Sequence, residues 1–236
     1  VIAREINRII NKNSGINDIF REKKDESTRL ALNLLPASRK MVYSYSDPFE
    51  ASVRIATAAN IIDFGASHDF SLSYVEKELE DSLECHLDSE KIKLLEEKIN
   101  SASRILFIAD NCGEIVFDRL IIEPFRNKIT VAVRGFPILN DATPREARLS
   151  GYYEITEVID TGDSTPGVHL EDCSKKFLDI FNSVDLIISK GQGNFETLYP
   201  FTDRPIFFLL KAKCQVISNI LNTQIGTMNI IHKNIQ

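Results

Sequence analysis

The sequence has no apolar run near the roughly 18 residues that a membrane helix needs. Its first turns carry Arg4, Glu5, Arg8 and Lys12 where a secretory signal would be apolar. A soluble, cytoplasmic protein with no membrane partner is expected. No basic run is long enough to neutralise a row of phosphates, and the net charge is −6, which argues against a nucleic-acid partner. Cysteine is scarce: Cys85, Cys112, Cys173 and Cys214 stand far apart with no C-x-x-C pair, so neither a disulfide framework nor a structural zinc knuckle fits, and reduced thiols are expected. The four histidines, His68, His86, His169 and His232, show no ligand spacing and are read as surface or packing residues. Methionine occurs only at positions 41 and 228, so with Val1 first an initiator and a leading segment are expected to precede it.

What is present is an ordinary globular composition, 236 residues with 43% hydrophobic and 26% charged side chains, enough to bury a full core. Up to about residue 100 the apolar pattern is helical. Ile2, Ile6, Ile9 and Ile10 recur at three and four, Leu30 to Leu35 makes a second stripe, and Asp47-Pro48 reads as a cap with proline in the first turn. Pro48 to Ile62, Val75 to Ser82 and Glu90 to Asn100 continue the pattern. Beyond residue 100 short apolar runs alternate with amphipathic stretches: Ile105 to Ala109, Ile129 to Val133, Ile155 to Ile159, Leu186 to Ser189 and Ile206 to Leu210. Near-continuous apolar strands between helices indicate a mostly parallel sheet covered on both faces. The expected fold is therefore α/β: a helical domain over residues 1–100, then a Rossmann-like domain over 101–236 with about five strands.

In such sheets ligands bind beyond the carboxyl ends of the strands, so the residues after each run are the ones to inspect. The first run ends in Asp110-Asn111-Cys112-Gly113-Glu114, which could cap a helix but holds more oxygen groups than one helix start requires. The second ends in Arg134 and reaches Asp141 just before a helix start at Pro144, where a turn and cap is the plain alternative. If the two runs are neighbours, Asp110, Asn111 and Asp141 converge as an all-oxygen set suited to a divalent cation such as Mg²⁺ or Mn²⁺. The fourth run ends in Lys190-Gly191-Gln192-Gly193-Asn194, which suits an anion although the order is not that of a Walker A loop. Thr161 to Gly167 adds a polar loop on the same edge. A G-x-G-x-x-G dinucleotide loop is missing, and Cys112 stands where a haloacid-dehalogenase phosphatase would place its second aspartate.

Five segments in order carry a resemblance: Asn60 to Gly65, Asp110 to Asp118, Arg134 to Thr143, Lys190 to Glu196, and Leu210-Lys211-Ala212-Lys213-Cys214. Together they resemble the metal-dependent damage-control phosphatases of the stand-alone archaeal or bacterial type, long catalogued as a domain of unknown function. The resemblance implies a helical domain on a Rossmann-like sheet and a divalent cation (Mg, Mn, Co or Ni) at Asp110, Asn111 and Asp141. It also implies hydrolysis of small, often damaged, phosphorylated metabolites, with sugar phosphates and phosphopantetheine derivatives as examples. Asp110, Glu114 and Lys190 are expected to be catalytic, Lys190 holding the phosphoryl group while Glu114 or Asp141 orients water, unless Asp110 itself attacks. Asn60, Asp63, Arg134, Gly191 and Asn194 are expected at the substrate. Two departures stand out: a leading Cys-x-x-Cys segment common in similar members is lacking, and Cys112 occupies a position where small residues are usual. An S-adenosylmethionine-dependent carboxyl methyltransferase and a non-catalytic binder of phosphorylated metabolites are the alternatives, and the oligomeric state is left open.

Overall fold

The computed structural model describes residues 2–62 and 72–235. Its sheet has six strands in the order β3-β2-β1-β4-β5-β6, with ranges β1 Ile105–Ile108, β2 Ile129–Val133, β3 Glu157–Asp160, β4 Leu186–Lys190, β5 Ile206–Lys211 and β6 Met228–Lys233. The first five are mutually parallel and β6 runs antiparallel to β5. Helices α6 Glu114–Ile122, α8 Lys175–Ser183 and α9 Gln192–Leu198 follow β1, β3 and β4. Five parallel strands answer the five apolar runs, with one shift. Ile155 closes a short 3₁₀ turn and the third strand begins at Glu157. The sixth strand is not foreseen, because an edge strand reading Met-Asn-Ile-Ile-His-Lys is half polar and lacks the continuous apolar signature.

Period-two alternation sends the strand side chains to two layers. Ile105 and Phe107 of β1 and Phe207 and Leu209 of β5 join one apolar cluster, while Leu106, Ile108, Phe208 and Leu210 join another. The second cluster is completed by Phe177 and Phe181 of α8 and Phe195 of α9. The first takes in α6 and the N-terminal helices α2 Arg21–Ser44, α3 Pro48–Ala58, α4 Leu72–Asp81 and α5 Ser89–Ser101. The helical half thus shares one continuous core with a face of the sheet, a helix–sheet–helix sandwich. Each fully buried Ile, Leu or Phe in it contributes about 1.5–3 kcal/mol relative to exposure.

Two of these helices position the site. α3 begins where Asp47 Oδ1 accepts from the amides of Phe49 and Glu50, with Pro48 in the first turn, and its small residues let it bury Ala51 to Ala58 between α2, α5 and α6. α6 is buried along nearly its whole length, so its acidic residues Glu114 and Asp118 are carried into the interior. By contrast α1, Ile2–Ser14, buries no residue and is tied down by polar contacts, Arg4 to Asp163 and Asp172, and Asn7 to the Pro137 carbonyl. No helix among the described residues is long and apolar enough to cross a membrane.

Candidate active site

The order of strand addition reverses at β1, which pairs with β2 on one side and β4 on the other, and in such sheets the ligand crevice lies at the carboxyl ends of the strands at this point, here β1 and β4. Asp110 and Asn111 follow β1 there. Neither caps α6, whose N-cap is Gly113 without a side-chain hydrogen bond, so both are left for other work. The loop after β2 folds back beside them: Arg134 N donates to Ala142 O, Ala142 N to Asp110 O and Cys112 N to Asn140 O, at 2.8–2.9 Å. This sets Asp141 opposite Asn111 in an isolated antiparallel bridge. The cap of the next helix, α7 Pro144–Leu149, is Thr143 in a capping box with Glu146, which frees Asp141 from that duty.

The side chains interlock. Arg134 Nε donates to Asp141 Oδ2 and Nη2 to Asn194 Oδ1, both at 2.7 Å, and Nη2 lies 3.9 Å from Asp110 Oδ1. Its Nη1 is buried and has no hydrogen-bond partner among the described residues. Asn194 is held in turn by its own amide, which donates to Lys190 O and Ala109 O. Asn111 Nδ2 donates to Asp110 Oδ2 at 3.1 Å and Glu114 Oε2 at 3.0 Å, and Asn60 Nδ2 reaches the same Glu114 oxygen at 2.8 Å. Lys190, wholly buried, donates to Glu114 Oε1, Asp118 Oδ1 and the Ala56 carbonyl. Gly191 has φ +78°, and a Cβ there would fall 1.9 Å from Asp110 Oδ2, so only glycine lets the two strand ends approach this closely.

Of the residues singled out from the sequence, Asn60, Asp110, Asn111, Glu114, Arg134, Asp141, Lys190, Gly191 and Asn194 come together, and Asp63 lies outside the described residues. His169 pairs with Asp172, and His232 packs on Phe207. Asp118 was not singled out, although its place four residues after Glu114 puts both on one helix face.

Burial and like charge act together on these side chains. Burial pushes the Asp110 carboxyl well above its ordinary range, and Asp141 and Glu114 push it further, against the weaker pull of Arg134 and Lys213. Burial opposes the Lys190 charge, but Asp118 and Glu114 outweigh it and hold the ammonium protonated. Among the described residues four buried carboxyl groups, Asp110, Glu114, Asp118 and Asp141, crowd two buried cations, Arg134 and Lys190, and burial pushes the Asp118 carboxyl up to about 7 as well. Among the described residues no three acidic, histidine or cysteine side chains form a ready cage, so a cation here needs the Asn111 amide oxygen beside Asp110 and Asp141. That all-oxygen set fits a hard divalent ion that keeps several waters.

Acidic and amide side chains gathered at the switch point of a parallel sheet define the class: an α/β protein with its candidate site at the carboxyl ends of the strands. The damage-control phosphatase ARMT1-like domain family matches residues 1–228, and the chain belongs to it. A damage-control phosphatase of Pyrococcus horikoshii is 37% identical over 221 residues, covering 91% of this chain and 74% of that protein. Another, from Archaeoglobus fulgidus, is 29% identical over 236 residues, covering 96% and 80%. The crystal structure of a DUF89 family protein from Pyrococcus horikoshii superposes with a TM-score of 0.86 at 35% identity, over 98% of this chain and 80% of that one.

Proposed function

We propose that this chain is a divalent-metal-dependent phosphomonoesterase acting on small, damaged or unwanted, phosphorylated metabolites. The observation that carries the reading is the crowding of buried carboxyl groups around Asp110, Asn111 and Asp141, whose mutual repulsion a divalent ion would relieve, in a chain whose relatives are damage-control phosphatases. A divalent cation bound there would neutralise charge on the phosphoryl oxygens as the ester bond breaks.

The remaining roles follow from the contacts the described side chains make. Arg134 is fixed at Nε and Nη2, and its unpartnered Nη1 is the donor we assign to a non-bridging phosphoryl oxygen. Glu114 has Oε1 committed to Lys190 and Oε2 to Asn60 and Asn111, so orienting the attacking water falls to Asp110 or Asp141. Such positioning and charge stabilisation supply most of the catalysis in phosphoryl transfer. Methyl transfer would leave the charged cluster without a task.

The test is hydrolysis of p-nitrophenyl phosphate with Mg²⁺, Mn²⁺, Co²⁺ or Ni²⁺, against a chelated control. Turnover with at least one ion and none after chelation is expected. Phosphate-ester binding without turnover under all four would overturn the reading in favour of a binding protein. A panel of sugar phosphates and phosphopantetheine derivatives then ranks substrates by kcat/KM.

A further inference from the structure

Asp118 is fully buried at the site, and the partner its side chain holds is Lys190, not a proposed ligand of the cation. It shares a face of α6 with Glu114, and Lys190 Nζ stands between the two carboxylates, 2.6 Å from each. The third donor of the ammonium goes to the Ala56 carbonyl at 2.8 Å. A lysine has three donors and no acceptor, so none is left for a substrate. Among the described residues the other oxygen of Asp118 makes no hydrogen bond, and Lys190 is the group it serves.

The contacts run on from there. With Oε1 held by Lys190, Glu114 turns Oε2 to Asn111 and Asn60. Asn111 spends both amide N–H groups on carboxylates, those of Glu114 and Asp110, which only accept. Its carbonyl oxygen is therefore the atom left to meet a cation.

We propose that Asp118 is a positioning residue, anchoring Lys190 so that Glu114 aims the Asn111 carbonyl at the cation. This rests on the reading of Asp110, Asn111 and Asp141 as ligands. Removing partners of this outer kind commonly weakens metal affinity about 10–100-fold. Calorimetric titration of the chelated protein with Mn²⁺ is the readout, beside thermal unfolding. Asp118→Asn and Glu114→Gln should each weaken Mn²⁺ at least about tenfold. Because both act through Asn111, the double variant should lose little more than the weaker single one. Should Asp118→Asn not fold, Asp118→Asn with Lys190→Gln, which removes both charges together, is titrated instead with the same expectation.

Mn²⁺ affinity equal to wild type in a folded Asp118 variant, with only the unfolding midpoint lowered, would overturn the proposal. Asp141→Asn, titrated alongside, separates the two levels. If it also binds like wild type, the ligand assignment itself has failed. If it loses Mn²⁺ while the Asp118 variant keeps it, only the positioning role is lost.

Discussion

Replacing Gly191 by alanine puts two groups into one space. The new Cβ would lie 1.9 Å from Asp110 Oδ2 and 2.3 Å from its Cγ, whereas ordinary contact begins near 3.4 Å. Asp110 must therefore retreat by about 1.5 Å, and a misplacement of even 1 Å at a reacting centre can cost on the order of 10² in rate. The backbone adds its own penalty, because φ +78° with ψ 160° is an essentially glycine-only conformation that costs another residue about 1–3 kcal/mol. Gly191→Ala should accordingly lower the unfolding free energy by about that amount and kcat/KM for p-nitrophenyl phosphate by on the order of 10². Gly193→Ala is the control. Two residues on, inside α9, a Cβ meets nothing nearer than 3.5 Å, and alanine in a helix interior is better than glycine by up to about 1 kcal/mol. Urea denaturation and steady-state kinetics on the two variants decide the matter. Equal turnover in both would refute the reasoning, since the same substitution would then be harmless where it strikes Asp110.

Lys190→Ala should act first on stability, by about 3–5 kcal/mol, because it strands Glu114 and Asp118 in the interior without a counter-charge; urea midpoints check this. Asp141→Asn should fold, as the amide still accepts from Arg134 Nε, yet lose metal-dependent turnover; circular dichroism beside a kinetic assay separates the two. Burial pushes the Cys112 thiol up to about 12, so at pH 8 iodoacetamide should modify exposed Cys85 and spare Cys112 until the protein unfolds; peptide mass spectrometry of native and denatured samples reads the order.

How legible these features were in the sequence depends on where each residue sits. β1, β2, β4 and β5 could be read directly, because strands covered on both faces must be almost wholly apolar, as Ile105-Leu106-Phe107-Ile108 is. The sheet edges were harder: β3, which exposes Glu157 and Asp160, reads two residues early, and β6, Met-Asn-Ile-Ile-His-Lys, is half polar and gives no strand signal. Asp110, Asn111 and Asp141 were readable for a topological reason, since residues just past neighbouring parallel strands share one edge. The partners of Lys190 were not. Its position after β4 suggests an outward anion contact, but the last β4 side chain turns into the layer where α6 lies, and only the packed helix shows Glu114 and Asp118 waiting there. Arg134 likewise reads as a free cation until the fold-back of residues 134–142 brings Asp141 against it.

A divalent cation held by Asp110, Asn111 and Asp141 is tested most directly by anomalous diffraction from crystals grown with Mn²⁺. The proposed reading predicts one strong anomalous peak in the crevice between β1 and β4, within coordination distance of oxygens from all three residues and away from Lys190. A peak elsewhere, or none at these residues in a crystal of protein that needs Mn²⁺ for turnover, would contradict it.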